Sequence, residues 1–178
     1  MMTLALRERL IPFSLPTTDG HTVSPEQFAD APVLGVVFWC NHCPYVKAWE
    51  SRMIALQKEY ASRGVRFILI SSNDPAKYPE DSFEAMKTVA REKGYPFPYA
   101  FDESQEVARR YGATRTPEVF LFDRSRTLRY HGAPDDNFEN PDAVTQRYLK
   151  DAIDALLAGG EPAVTETPPK GCTIKWKG

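Results

Sequence analysis

The sequence predicts an α/β fold, with a mixed central sheet flanked by helices in three layers and a short β-hairpin extension at the N-terminus. Three observations carry this. Residues 32–39 and 65–70 are apolar runs rich in β-branched and aromatic side chains, as expected of strands buried on both faces. Between them Tyr45, Trp49, Met53 and Leu56 recur at three- or four-residue steps, with Lys47, Glu50, Arg52 and Lys58 interleaved, which is the pattern of an amphipathic helix. Strand, helix and strand in that order form a right-handed β-α-β unit. Residues 118–122 and 127–131, bracketing the charged turn 123–126, form an antiparallel hairpin, so the sheet is mixed.

Each element has its own local reason. Residues 13–16 and 21–23 are short extended runs flanking Asp19-Gly20, a hairpin signal. Ser24-Pro25-Glu26 places a cap, a first-turn proline and an acid in the order that opens a helical turn. Arg63-Gly64 stops the long helix before the second strand. Residues 71–75 are loop chemistry at the carboxyl end of that strand, where open α/β sheets place ligands. Phe83, Met86, Val89 and Ala90 space another helix, closed by Lys93-Gly94, and residues 96–101 lead into a short extended segment. A short helix runs from about Ser104 to Tyr111 and stops at Gly112. The last helix starts near Pro141-Asp142, carries Val144, Tyr148, Ile153, Leu156 and Leu157 on its apolar side, and ends at Gly159-Gly160. One domain thus spans residues 1–160. Residues 161–178 form a tail whose Ile174 and Trp176 would be wasted on a disordered segment, so it is expected to pack back as an extended strand.

Cys40 and Cys43 fall at the junction of the first buried strand and the long helix. That spacing lets two sulfurs bond across one helical turn without moving the backbone. So small a ring removes little entropy from the unfolded chain, which makes it a poor staple and a good reversible disulfide. Cys40 is expected just outside the first turn, where unpaired N–H groups and the helix dipole favour a thiolate, with Cys43 sheltered inside. Cys40 is then the attacking thiol. A four-ligand zinc site is poorly supported, because only Cys172, His21, His42 and His131 remain to complete it; no metal is assigned. His42, between the cysteines, would in its charged form favour the dithiol. His21 and His131 are read as surface or packing residues, and residues 132–141 as a solvated loop, with a place on the rim of the site as the alternative. Cys172 is a possible third redox thiol or, equally, a small hydrophobe beside Trp176.

Composition narrows the function classes. A chain of 178 residues with 42% hydrophobic and 26% charged residues is ordinary globular usage, and a net charge of −2 without a basic run gives no footprint for nucleic acid. No stretch approaches the roughly 20 apolar residues that span a bilayer, and residues 1–10 lack a signal-type apolar core. A cytoplasmic protein with no membrane partner is expected. An odd total of 3 Cys fits a reducing compartment with catalytic or sensing thiols.

The strand ending in Trp39-Cys40-x-x-Cys43, the β-α-β unit and the later Thr116-Pro117 resemble the thioredoxin superfamily over most of residues 32–157. The N-terminal hairpin, the helix near Phe83 and the Cys43-Pro44 step are more similar to the peroxiredoxin, or AhpC/TSA, branch. The run Asn41-His42-Cys43-Pro44-Tyr45, with Gly171-Cys172-Thr173-Ile174-Lys175-Trp176, is similar to a peroxiredoxin-like redoxin subgroup. The resemblance implies a thioredoxin-like fold and a thiol-disulfide oxidoreductase: Cys40 and Cys43 catalytic, Trp39, His42, Thr116 and Pro117 supporting, and a cis Thr116-Pro117 bond opposite Cys40 that aims the Thr116 backbone at a bound peptide. Implied partners are a disulfide-bearing protein or small oxidant and a thiol or NADPH-linked reductase system; no cofactor is implied. Alternatives are a thiol peroxidase using Cys43 and, from another class, a Cu(I)-binding module. Two departures stand out. Residues 32–39 lack the buried acid that thioredoxins hold there, leaving proton transfer to a group such as His42 or Glu50, and Cys40 takes the place of the peroxiredoxin threonine. Arg115 is read as an exposed structural arginine.

Overall fold

The computed structural model describes residues 2–178. Its central strand, β3 (Leu34–Trp39), is buried along its whole length. With β1 (Leu15–Pro16) and β2 (Thr22–Val23) forming the N-terminal hairpin, the main sheet has the order β5-β4-β3-β7-β8. β4 (Arg66–Ser71) and β5 (Tyr99–Phe101) add in parallel on one side of β3; β7 (Glu118–Phe122) and β8 (Leu128–Gly132) add antiparallel on the other. Gly35 sits where a Cβ would overlap the Phe67 ring, so β3 and β4 can lie flat against each other only with glycine there.

Alternation along the strands divides the interior in two. Val37 and Trp39 face a core shared with α1 (Pro44–Tyr60), α2 (Phe83–Lys93) and α4 (Tyr148–Leu157), through Val46, Met53, Met86 and Ile153. Val36 and Phe38 face the opposite core, closed by α3 (Glu106–Tyr111), the N-terminal segment and Ile174 of the tail. Both rims of the sheet are occupied: Thr17 bridges Ala100 on β5, and Glu166 bridges His131 on β8.

Two boundaries differ from the sequence reading. The last helix begins at Tyr148, because Pro141–Ala143 make only a short 3-10 turn and Val144 is extended. At the other site of difference, the long helix begins at Pro44, leaving Cys43 as its extended N-cap residue. No helix among the described residues is long and apolar enough to cross a membrane.

Candidate active site

β3 delivers Cys40 at its carboxyl end, and an irregular step through Asn41 and His42 brings Cys43 to the mouth of α1. Pro44 fills the first helical position, where a missing N–H costs nothing. The next amides are then free to serve the site: Val46 N–H is turned toward the Cys43 sulfur and Tyr45 N–H toward Cys172. Thr116, from β6 (Arg115–Thr116), holds both cysteines, its Oγ1 3.4 Å from Cys40 Sγ and its carbonyl oxygen 3.5 Å from Cys43 Sγ. The Thr116-Pro117 peptide is cis.

The protons distribute unevenly. The Cys43 thiol is lowered, first by a hydrogen bond from Cys40 and then, against burial, by Cys172 and the Val46 amide. Cys40 is raised, because it donates that bond, is buried, and lies near the Asp81 carboxylate. The pair therefore loses its first proton as a Cys43 thiolate held by a Cys40 thiol. This reverses the expected assignment of Cys40 as the thiolate: the helix starts one turn later than expected, so its N-terminal field falls on Cys43.

Asp81, fully buried between two helices in sequence, was not foreseen as part of the site. Its Oδ1 accepts the Asn41 N–H at 2.8 Å, its Oδ2 accepts the Asn73 amide at 2.8 Å, and His42 Nδ1 faces Oδ2 without the alignment of a hydrogen bond. Ligand atoms of Cys40, His42 and Asp81 lie within 4.8 Å of one another. Those three are the donor set a metal ion would meet. Asp81 is already engaged by two amides, however, and a hard carboxylate is a poor third partner for Cu(I). The same arrangement supplies Cys40 with a nearby proton acceptor, the function for which the strand itself holds no acid. Glu50 instead accepts from Tyr95 OH at 2.6 Å, and Tyr95 in turn accepts from Trp39 Nε1 at 3.1 Å.

The tail completes the site. β9 (Cys172–Thr173) pairs antiparallel with β6, in the register Arg115↔Thr173 and Thr116↔Cys172. Lys175 N donates to Asn73 Oδ1 at 2.9 Å, and Gln105 Nε2 donates to the carbonyls of Ser72 and Lys175 at 2.7 and 2.9 Å. The edge of Thr116 expected to be open to a bound peptide is thus filled by the chain itself. Phe138, in the 132–141 loop, packs on Tyr45 at 4.2 Å between ring centroids, and Arg52 pins that loop through Asp135 and the Asn137 and Phe138 carbonyls.

Of the remaining histidines, His21 is exposed. His131 is the packing residue of the two, buried with Nε2 2.6 Å from Glu118 and Nδ1 3.0 Å from Glu166. Burial disfavours its charged form, but the two carboxylates outweigh that, and its pKa is raised. Glu118 also accepts the N–H groups of Thr114 and Arg115 at 2.9 and 3.0 Å, so this cluster supports β6 from behind. Arg115 is exposed and reaches only the Gly171 carbonyl.

The family model described as AhpC/TSA family matches residues 6–131. Two solved structures are similar over nearly the whole chain: a hypothetical protein from Sinorhizobium meliloti 1021, 38% identical with TM-score 0.93, covering 99% of this chain and 97% of that one; and an uncharacterized conserved protein from Geobacillus kaustophilus, 43% identical with TM-score 0.92, covering 97% and 93%. The thioredoxin domain of a Bacteroides vulgatus thiol-disulfide oxidoreductase shares the fold at 16% identity and TM-score 0.60, covering 71% of this chain and 86% of that one. No curated protein matches.

Proposed function

The chain belongs to the AhpC/TSA family and has a thioredoxin-like fold, and from that premise we propose a thiol-disulfide oxidoreductase that cycles Cys40 and Cys43 between dithiol and disulfide. The observation that carries the reading is the placement of both sulfurs against one residue, Cys40 Sγ beside Thr116 Oγ1 and Cys43 Sγ beside the Thr116 carbonyl oxygen. In the forward half, the Cys43 thiolate attacks a substrate disulfide, forming a mixed disulfide and releasing one thiolate. Cys40 then gives up its proton toward Asp81 and His42 and attacks the Cys43 sulfur, releasing the second thiolate and closing the internal disulfide.

A hydroperoxide is the second reading for the oxidant, favoured by the burial of both sulfurs and by the tail strand on Thr116. Cys43 thiolate takes the distal oxygen to become a sulfenic acid, the alkoxide leaves and is protonated, and Cys40 displaces water to give the same disulfide. Mass spectrometry of cysteine variants tests the assignment. With Cys172 also replaced by serine, so that no third thiol resolves the adduct, Cys40→Ser should hold a mixed disulfide or sulfenic acid at Cys43, and Cys43→Ser should accumulate neither at Cys40. Adducts trapped at Cys40 alone would overturn the assignment.

A further inference from the structure

Cys40 and Cys43 are 1% and 0% exposed, yet a redox cycle must return electrons to them from outside. Cys172 is the half-buried member of the group. Its place is fixed by backbone: it is the register partner of Thr116, and Gly171 before it lies so close to the Thr116 carbonyl that a Cβ would overlap it. Ile174, 3% exposed, anchors the strand in the core, and Ile174 N donates to the Thr114 carbonyl at 2.9 Å. The thiol and N–H of Cys172 are both turned on the Cys43 sulfur. Cys43 therefore stands between a deeply buried thiol and one within reach of solvent.

We propose that Cys172 is a relay thiol, through which an external thiol reductant reopens the Cys40–Cys43 disulfide. This rests on the preceding reading that those two cysteines form a disulfide. In the first step the Cys172 sulfur attacks Cys43; the Cys40–Cys43 bond breaks, a Cys43–Cys172 bond forms, and the proton lost by Cys172 ends on Cys40. In the second, an external thiolate attacks the more accessible Cys172 sulfur, forming a mixed disulfide there and freeing the Cys43 thiolate. A second external thiol releases the oxidised reductant as its disulfide and leaves Cys172 as a thiol. Two thiols are oxidised and one disulfide is reduced.

Two measurements on the full chain test this, with glutathione as the reductant. Oxidised wild type and oxidised Cys172→Ser and Cys172→Ala are mixed with glutathione, quenched by alkylation and mapped by mass. Removing the Cys172 thiol should slow reopening of the Cys40–Cys43 disulfide by about tenfold or more, since the β6–β9 ladder holds Cys172 beside Cys43 whereas a glutathione thiolate must find the same approach from solution. Independently, Cys40→Ser treated with one equivalent of oxidised glutathione should end as an internal Cys43–Cys172 disulfide. Wild-type reopening rates in both Cys172 variants, or a Cys40→Ser protein that stays glutathionylated at Cys43 with Cys172 free, would overturn the relay alone. A wild type that forms no Cys40–Cys43 disulfide would overturn the relay together with the reading beneath it.

Discussion

Thr116 and Cys172 face each other across the β6–β9 ladder, so the residue that holds the two buried sulfurs also holds the third thiol. Gly171 is what permits that approach. Gly171→Ala should push the strand away from Thr116 and raise the rate at which a maleimide labels Cys172 several-fold, with little change in global stability because Ile174 remains anchored. Unchanged labelling in time-resolved mass spectra would show that the ladder tolerates the added methyl.

The lowered Cys43 thiol gives a pH signature. A thiol whose folded value is depressed stays ionised above that value and is protonated only as pH falls through it. Iodoacetamide should therefore modify Cys43 of the reduced protein with a midpoint below the about 8.5 of a free thiol. Because the largest cause is the bond from Cys40, Cys40→Ala should move the midpoint upward. Rates of peptide-mapped alkylation against pH measure both.

Asp81→Ala would leave the Asn41 N–H and the Asn73 amide without their acceptor inside the protein. A loss of about 3 kcal/mol in urea unfolding is expected. Asp81→Asn, which keeps the volume, should fold better yet slow the Cys40 attack that resolves a mixed disulfide at Cys43. Stopped-flow quenching with mass detection separates that step from the initial attack.

His131 supplies a second pH dependence, of opposite sense. Its folded pKa is raised, so its contribution is fully present below the unfolded value of about 6.5 and is lost as pH rises through the folded value. Stability of the reduced protein should fall over that interval, and Glu118→Gln should flatten the slope. Urea midpoints measured across it, at constant ionic strength, provide the check.

The sheet and its helices were legible because β3 is uniformly apolar, β4 is apolar from Phe67 to Ile70 and α1 has an amphipathic period, signals strong enough to survive without tertiary information. The start of α1 was not placed correctly, although its signal was present: Pro44 favours the first helical position, which puts Cys43 at the N-cap. Asp81 left no local trace. Its position under the cysteines comes from packing the 79–81 turn against the end of β3, with the Asn41 bond spanning 40 residues of sequence. Val144 had the right spacing for the last helix, but spacing alone does not register that Val144 is extended and the helix waits until Tyr148. His131 was read as a surface or packing residue; that it packs between two carboxylates was not legible, because both partners are distant in sequence, one of them in the tail.

The bridge between Glu166 and His131 has a further consequence. β8 is the outermost strand on its side, and an open outermost strand is a template on which another polypeptide can add. Here His131 N donates to the Thr165 carbonyl at 3.1 Å and Thr167 N donates to the His131 carbonyl at 3.0 Å, so those groups are already satisfied. The tail thus acts as a guard against aggregation as well as a carrier of Cys172. Truncation before Glu161 would bare the strand, and self-association at high protein concentration would follow from backbone chemistry alone, whatever the state of the thiols.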